Sequence, residues 1–164
     1  MTAHVHAYAA MSAKTPLEAY QYELDAPGPN EVQVQVTHCG LCRSDLDALD
    51  NRFGMAQYPL VAGHEIIGNV SAIGSAVSHL QLGQRVGIGP ICNTCLSCSY
   101  CAAGRDNLCR KMEFTIGAGR RGGFANIVQV PAAYAYPIPD ALASENAAPL
   151  LCAGLTSYAP LRNH

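Results

Sequence analysis

The stretch from Val86 to Arg110 reads VGIGPICNTCLSCSYCAAGRDNLCR and holds five of the chain's eight cysteines. These five are Cys92, Cys95, Cys98, Cys101 and Cys109, of which the first four are spaced three residues apart. Cys-x2-Cys steps let two thiolates of one turn point at a common centre, which suits tetrahedral zinc with sulfur about 2.3 Å away. The same short loops strain a disulfide. The spacing therefore predicts a four-sulfur zinc site, with one of the equally spaced cysteines left over.

The composition limits the class of protein. With 164 residues, 49% of them hydrophobic and 13% charged, the chain predicts one globular domain with a buried core. The net charge of −2 and the lack of a Lys/Arg run argue against a nucleic-acid binder. No apolar run approaches the roughly twenty residues that a membrane span needs, and the first residues do not resemble a signal peptide. A cysteine-rich chain without such a leader favours the reducing cytoplasm, and hence metal over disulfide.

Local patterns predict a mainly β fold with short helices. Fifteen glycines and ten prolines imply many turns. Val32, Val34 and Val36 alternate with polar residues, as in a half-buried strand over residues 31–36. We expect Ser44 or Asp45 to cap a short helix ending at Leu49. Further elements are predicted as strands over 64–74, 84–91 and 122–130, a sheet edge over 132–139, and a helix over 144–162 capped by Ser144.

Three motifs outside the cysteine stretch bear on chemistry. They are CGLCRSD (39–45), GHE (63–65) and LLCAG (150–154). Taken singly, each has an ordinary explanation, such as a buried thiol, a hydrogen-bonded structural histidine or a solvated carboxylate. Together they offer two thiolates and one imidazole from well-separated segments. Three protein ligands leave one position open, so the set predicts a catalytic zinc site.

Five motifs occur in an order that identifies a family. They are CGLCRSDL, YPLVAGHEIIG, Cys-x2-Cys-x2-Cys-x7-Cys, GGFAN and PLLCAGLTSY. In these, essentially the whole chain resembles zinc-dependent medium-chain alcohol dehydrogenases, specifically the cinnamyl-alcohol-dehydrogenase-like branch. The resemblance implies a GroES-like roll, a partly open antiparallel β-barrel with a protruding zinc lobe at residues 92–110. Residues 1–164 would then form the catalytic domain, or its N-terminal portion.

The resemblance also implies which residues hold metal. The structural zinc would be held by Cys95, Cys98, Cys101 and Cys109. Cys92 would be a spare thiol, and Cys39 a core residue. The catalytic zinc would be held by Cys42, His64 and Cys152. Glu65 stands where a carboxylate can exchange with water as the fourth ligand.

Further roles follow from the same resemblance. Asp45 would orient His64 through the other ring nitrogen. Ser44 would hydrogen-bond the substrate alcohol and start a proton relay, and Arg43 would meet the cofactor's pyrophosphate. Asp47 departs from relatives that place a relay histidine there, so water or a ribose hydroxyl of the cofactor would serve instead.

The implied activity is hydride transfer between a primary alcohol or aldehyde and a nicotinamide cofactor. Two zinc ions per chain and NADP or NAD are the implied cofactors, and NADP is the one that this branch of the family usually uses. A small alcohol or aldehyde is the implied substrate, with Phe53, Tyr58 and apolar residues around Leu150 as candidate walls; core packing explains them equally well. A homodimer is a further expectation.

A dinucleotide-binding fingerprint is not found in the chain. Gly87-Ile88-Gly89 is followed by Pro90 and the cysteine stretch. Residues 117–122 fit G-x-G-x-x-G in spacing, but no buried strand precedes them and no helix follows. We therefore expect the nucleotide domain to lie outside this chain, which would bind zinc but turn over little alcohol alone.

Two other readings compete with a dehydrogenase. The first is a zinc-stabilised GroES-like module without catalysis of its own, which the missing nucleotide site favours. The second is a zinc-ribbon nucleic-acid binder. A zinc ribbon needs two Cys-x2-Cys knuckles about fifteen to twenty residues apart and a basic face. The single cysteine stretch and the negative charge argue against it.

Overall fold

The computed structural model describes residues 2–163, in which strands outnumber helices. The strands are β1 (Ala3–Ala10), β2 (Leu17–Leu24), β3 (Glu31–Gly40), β4 (Glu65–Ile73), β5 (Arg85–Ile88), β6 (Ile91–Asn93), β7 (Glu113–Phe114), β8 (Ile127–Pro131) and β9 (Tyr136–Pro137). The α-helices are α1 (Arg43–Leu49), α2 (Ser99–Ala102), α3 (Ser144–Pro149) and α4 (Leu155–Asn163). The predicted mainly β class is confirmed.

The centre of the fold is a five-stranded antiparallel sheet in the order β8-β3-β4-β5-β9. Val32 and Val34 of β3 are fully buried, as the alternation predicts, and the strand continues past Val36 to Gly40. Their core partners include Ile66 of β4, Ile88 of β5 and Val128 of β8, all at most 2% exposed. Burial of this apolar surface, at about 25 cal/mol per Å2, is what favours the sheet.

Two further sheets flank the central one. β1 and β2 form a hairpin, and β1 also exchanges backbone hydrogen bonds with Leu60 through Ala10. β6 and β7 form a short ladder at the base of the cysteine lobe, residues 92–110. All these strand pairs are antiparallel, so residues 2–163 contain no doubly wound parallel sheet. None of the described helices is long and apolar enough to cross a bilayer.

Both predicted helix caps were wrong by one or more residues. Helix α1 has Cys42 at its N-cap, and Asp45 instead accepts the Cys42 backbone N–H at 2.9 Å from the third helical position. Helix α3 has Ala143 at its N-cap. The Ser144 hydroxyl is not used as a cap, because it accepts a hydrogen bond from Arg85 Nη1 at 3.1 Å. Long-range partners override the capping preference at both positions.

Four predicted elements have different bounds. The strand expected from Gly122 begins only at Ile127, because residues 122–124 donate backbone hydrogen bonds to the 61–63 loop instead. The strand expected over 84–91 is divided by Gly89 and Pro90 into β5 and β6. Residues 132–134 form a 3-10 turn, so only β9 continues the sheet there. The helix expected over 144–162 is interrupted by a π-helical turn, Leu150–Gly154.

Candidate metal centres and active site

Three residues that are far apart in the sequence meet at one end of the central sheet. Cys42 precedes α1, His64 precedes β4, and Cys152 lies in the π-helical turn. His64 Nε2 is 3.3 Å from Cys152 Sγ, and the two sulfurs are 3.9 Å apart. Glu65 adds a carboxylate oxygen, and all four donor atoms lie within 4.8 Å of one another. The structure thus brings together the four residues that the sequence singled out.

The spacing of these atoms fits zinc. Two sulfurs that are each about 2.3 Å from one tetrahedral ion stand roughly 3.8 Å apart, and a sulfur and an imidazole nitrogen stand somewhat closer. The observed separations of 3.9 Å and 3.3 Å agree with this. Two thiolates, one imidazole and a carboxylate are also donor types that zinc prefers. These four residues could therefore hold a zinc ion.

Asp45 fixes the orientation of the histidine. Its carboxylate is fully buried, and one oxygen lies 2.7 Å from His64 Nδ1 while accepting the Gly63 N–H at 2.9 Å. Because a carboxylate only accepts hydrogen bonds, His64 donates from Nδ1 and turns its Nε2 lone pair toward the sulfurs. Burial lowers the pKa of His64, but the hydrogen bond and negative charge of Asp45, together with the Cys42 thiol, outweigh it, so the net shift is upward.

Glu65 is buried beside the cluster because its neighbour on β3 is a glycine. Gly40 pairs with Glu65 across the two strands, and a Cβ at Gly40 would lie 2.1 Å from a carboxylate oxygen of Glu65. Burial raises the pKa of Glu65. A carboxylate oxygen of Glu65 lies within 4.8 Å of the donor atoms of Cys42, His64 and Cys152, a position that suits a fourth ligand.

A cavity of about 190 Å3 opens onto this cluster. Ser44, His64 and Cys152 form its polar floor. Its apolar walls are Ala48, Phe53, Met55, Ala56, Pro90, Phe114 and Ile116. An apolar cavity with a few polar groups converging at one end is the usual form of a small-molecule site.

Sequence reasoning identified only part of this wall. Phe53 lines the cavity, but Tyr58 donates its hydroxyl to the Leu49 carbonyl at 2.7 Å, and Leu150 is half exposed; neither lines the cavity. Phe114 and Ile116 were missed. No periodicity or motif in the sequence marks these two residues as part of the wall.

The residues predicted for the proton relay and for cofactor binding do not lie together. Ser44 lines the cavity floor, whereas Arg43 points to solvent with two thirds of its side chain exposed. Asp47 pairs with Arg43 at 3.1 Å and with Arg52 at 3.4 Å. The structure therefore places Ser44 beside the candidate metal-binding cluster and leaves Arg43 and Asp47 outside the cavity.

The second cluster lies in the cysteine lobe. Cys98 and Cys101 have their sulfurs 3.5 Å apart, as do Cys95 and Cys109. Cys95 and Cys101 are 3.9 Å apart. These distances exceed a disulfide bond and match neighbouring ligands of one tetrahedral zinc. Backbone N–H groups of Ser97 and Cys98, with the Ser97 hydroxyl, lower the pKa of the Cys95 thiol to about 6, which favours a thiolate there.

The two remaining thiols stand apart from both clusters. Cys92 is 1% exposed and donates to the Glu113 carbonyl at 3.6 Å. Cys39 packs against the central core, where burial raises the pKa of its thiol to about 12. All eight cysteines of the chain carry free thiols.

Comparisons with known proteins agree with this geometry. The family model described as the alcohol dehydrogenase GroES-like domain matches residues 28–140. The aldehyde reductase AdhA of Synechocystis is 39% identical over 157 residues, which cover 96% of this chain and 46% of the relative. A probable cinnamyl alcohol dehydrogenase 2 of Nicotiana tabacum is 43% identical over 154 residues, covering 90% of this chain and 43% of the relative.

Solved structures show the same relationship. A cinnamyl alcohol dehydrogenase of Sorghum bicolor superposes with a TM-score of 0.93 at 34% identity, over 98% of this chain and 48% of that one. The cinnamyl alcohol dehydrogenase of Helicobacter pylori, solved with NADP(H), gives 0.92 at 29% identity, over 99% and 49%. The chain therefore spans about half the length of the relatives that it matches.

Proposed function

Because the chain belongs to the alcohol dehydrogenase GroES-like domain family, we propose that it is the catalytic portion of a zinc-dependent alcohol dehydrogenase or aldehyde reductase. The reaction is hydride transfer between a primary alcohol or aldehyde and a nicotinamide cofactor. The observation that carries the proposal is the cluster of Cys42, His64, Cys152 and Glu65, two of which, His64 and Cys152, line an apolar cavity.

The residues of the cavity have distinct roles in this proposal. The apolar walls exclude water and hold the hydrocarbon part of the substrate. Zinc bound at the floor would supply a Lewis acid beside the reacting oxygen. Asp45 keeps His64 in the tautomer that a metal ligand needs. The two thiolates and a neutral His64 would together balance the +2 charge of the ion.

Ser44 is the residue that the proposal places nearest the moving proton. It lines the cavity floor together with His64 and Cys152. Its hydroxyl can accept the proton of a substrate alcohol while donating its own. Asp47 is engaged by Arg43 and Arg52, so the proposal assigns the next proton acceptor to water or a ribose hydroxyl of the cofactor.

Finer points of the proposal concern cofactors and assembly. We propose two zinc ions per chain, the second held by Cys95, Cys98, Cys101 and Cys109, with the lobe spanning residues 92–110 of a catalytic domain over 1–164. NADP is the proposed hydride carrier, and Arg43, exposed at the start of α1, would meet its pyrophosphate. Eight free thiols suit a reducing cytoplasm. The exposed Leu155, Tyr158 and Leu161 of α4 support self-association as a homodimer.

Native mass spectrometry and a complementation assay test the proposal together. We expect two zinc ions per chain, and one in Cys152→Ala. When the part of the Synechocystis aldehyde reductase that this chain does not match is supplied, we expect NADPH-dependent aldehyde reduction. Ser44→Ala should lower kcat by roughly 10^2-fold or more, as loss of a proton-transfer group does, whereas Ser44→Thr keeps the hydroxyl and most of the rate.

The outcomes separate an enzyme from a structural module. One zinc ion per chain, retained by the lobe alone, would contradict the catalytic site and favour a zinc-stabilised module without catalysis. Two zinc ions with equal activity in Ser44→Ala and wild type would retain the metal sites but remove Ser44 from the reaction.

A further inference from the structure

Strand β5 presents two different faces. Side chains alternate along a strand, so Val86 and Ile88 share one face while residues 87 and 89 share the other. Val86 and Ile88 are fully buried in the central core. The opposite face carries Arg85 and Gly87, and Gly89 follows directly after the strand. Both glycines lie against Leu151 of the π-helical turn, Leu150–Gly154.

Both glycines are in close contact with Leu151. A Cβ on Gly87 would lie 3.0 Å from each of the two δ carbons of Leu151 and 2.9 Å from Ile138 Cδ1. A Cβ on Gly89 would lie 3.1 Å from the backbone carbonyl oxygen of Leu151. A side chain at Gly87 would therefore collide with the ends of two side chains. A side chain at Gly89 would press on the main chain of the turn.

Leu151 is partly buried, and the core cluster limits its movement on one side. Its side chain packs against Ile67 of β4 and against Ala147 and Ala148 of α3, all three of which are at most 3% exposed. A well-packed cluster resists displacement, because shifting one side chain forces its neighbours out of their rotamer minima. We therefore expect a methyl group added at Gly87 or Gly89 to push the π-helical turn outward.

The turn also carries a residue of the candidate active site. Leu151 is bonded to Cys152, whose sulfur is 3.3 Å from His64 Nε2. A Cβ contact of 3.1 Å to a carbonyl oxygen has to open by a few tenths of an ångström. Metal–ligand distances tolerate only about 0.2 Å. The movement of Leu151 that an added Cβ requires is thus as large as the deviation that the metal–ligand distances at Cys152 tolerate.

We propose that Gly87 and Gly89 are positioning residues for Cys152, an inference that rests on the proposed catalytic metal site. The lack of a side chain at these two positions lets the π-helical turn approach until the sulfur of Cys152 meets His64 and Cys42. Gly89 acts through the backbone of Leu151, and Gly87 acts through its side chain.

Cobalt binding tests this role without requiring catalysis. Co2+ replaces zinc in the purified chain, and its absorption reports the ligand geometry at each site, with the four-thiolate lobe as an internal reference. In Gly89→Ala we expect a changed absorption of the Cys42–His64–Cys152 site and an affinity for Co2+ about 10-fold lower or more, as for loss of an outer-shell support. The lobe signal should stay unchanged. Leu142→Ala, which weakens the same apolar cluster, is the control for stability alone and should leave both signals unchanged.

A second pair of variants keeps the test decisive if Gly89→Ala folds poorly. Gly87→Ala should weaken Co2+ binding at the same site. Adding Leu151→Ala removes both δ carbons, so the double variant should bind Co2+ as Leu151→Ala alone does. Wild-type affinity and absorption in both glycine variants, with two cobalt ions bound per wild-type chain, would overturn the inference alone. A wild-type chain that takes up one cobalt ion would overturn the proposed catalytic site as well.

Discussion

Thr94 and Tyr134 share a buried hydrogen bond, with their hydroxyl oxygens 2.5 Å apart. Thr94 stands just before the first ligand candidate of the lobe and is 6% exposed; Tyr134, in the 3-10 turn after β8, is 2% exposed. The Thr94 hydroxyl also lies 3.4 Å from Cys101 Sγ. When Cys101 is a thiolate it can only accept, so Thr94 donates to it and Tyr134 donates to Thr94. This chain of contacts links the lobe to the body of the fold.

Removing the Thr94 hydroxyl should weaken the lobe. In Thr94→Val the buried Tyr134 hydroxyl and the Cys101 sulfur both lose this partner, which costs about 1–3 kcal/mol in the free energy of unfolding. We expect lower stability in urea and faster release of zinc to a chelator. Thr94→Ser keeps the hydroxyl and is the matched control. Equal stability of the valine and serine variants would show that the hydrogen-bond chain does not hold the lobe.

Asp45 should control metal affinity through His64. Asp45→Asn removes the charge that orients His64, and it replaces one acceptor oxygen of the buried carboxylate by a donor nitrogen. We expect the affinity for zinc at the Cys42–His64–Cys152 site to fall by roughly 10–100-fold. Competition with a chromogenic chelator measures it.

Asp47→Asn is the matched control for this experiment. Asp47 lies on the same helix but pairs with Arg43 and Arg52 outside the cavity. Its substitution should leave zinc affinity close to that of the wild type. An equal loss in both variants would mean that a general change in helix α1, and not the contact with His64, sets the affinity.

Substitutions of Cys98 and Cys92 should have different effects on the zinc content of the lobe. Cys98→Ser removes one of four sulfurs within 4.8 Å of each other, so we expect loss of the lobe zinc and rapid cleavage of residues 92–110 by protease. Cys92→Ser changes a thiol outside that group and should keep the full zinc content. Zinc retention in Cys98→Ser together with zinc loss in Cys92→Ser would exchange the two assignments.

Sequence reasoning identified the candidate metal ligands of the two clusters in two different ways. Cys95, Cys98, Cys101 and Cys109 are close in the chain, so cysteine spacing predicted a four-sulfur site, and the family resemblance separated them from the equally spaced Cys92. Cys42, His64 and Cys152 lie up to 110 residues apart. Only their donor chemistry and the order of the motifs indicated that they would meet, because periodicity carries no information on such distant contacts.

Most of the cavity wall and the interruption of the last helix could not be predicted from the sequence. Ile116 reaches the cavity on the 115–121 loop, and Ala118 in that loop donates its backbone N–H to the Met55 carbonyl at 3.0 Å. That pairing of two loops has no local sequence signal. Pro149 lacks an amide hydrogen and marks the end of α3. It predicts an irregularity, but not the π-helical turn that aims Cys152.

The ion pair of Glu113 and Arg120 should stabilise the fold at neutral pH and lose this effect in acid. Arg120 donates from Nε at 2.9 Å and also from Nη2 to Glu113, and this contact holds the pKa of the Glu113 carboxyl below its ordinary value of 4.5. A carboxyl whose pKa is lower in the folded state stabilises the fold above the unfolded value. That contribution is lost as the pH falls below 4.5 and through the folded value.

Glu113→Gln measures this contribution. Both side chains are partly exposed, so solvent screening limits the pair to about 0.2–1 kcal/mol at neutral pH. We expect the variant to unfold in urea at a lower midpoint than the wild type at pH 7, with the gap closing as the carboxyl protonates. Glu18→Gln, at an exposed glutamate of β2, controls for the change in net charge. Acid release of zinc affects all three proteins, so only the difference between them counts. A difference in urea midpoint between wild type and Glu113→Gln that stays constant through the acid range would show that the Arg120 contact does not depend on the charge of Glu113.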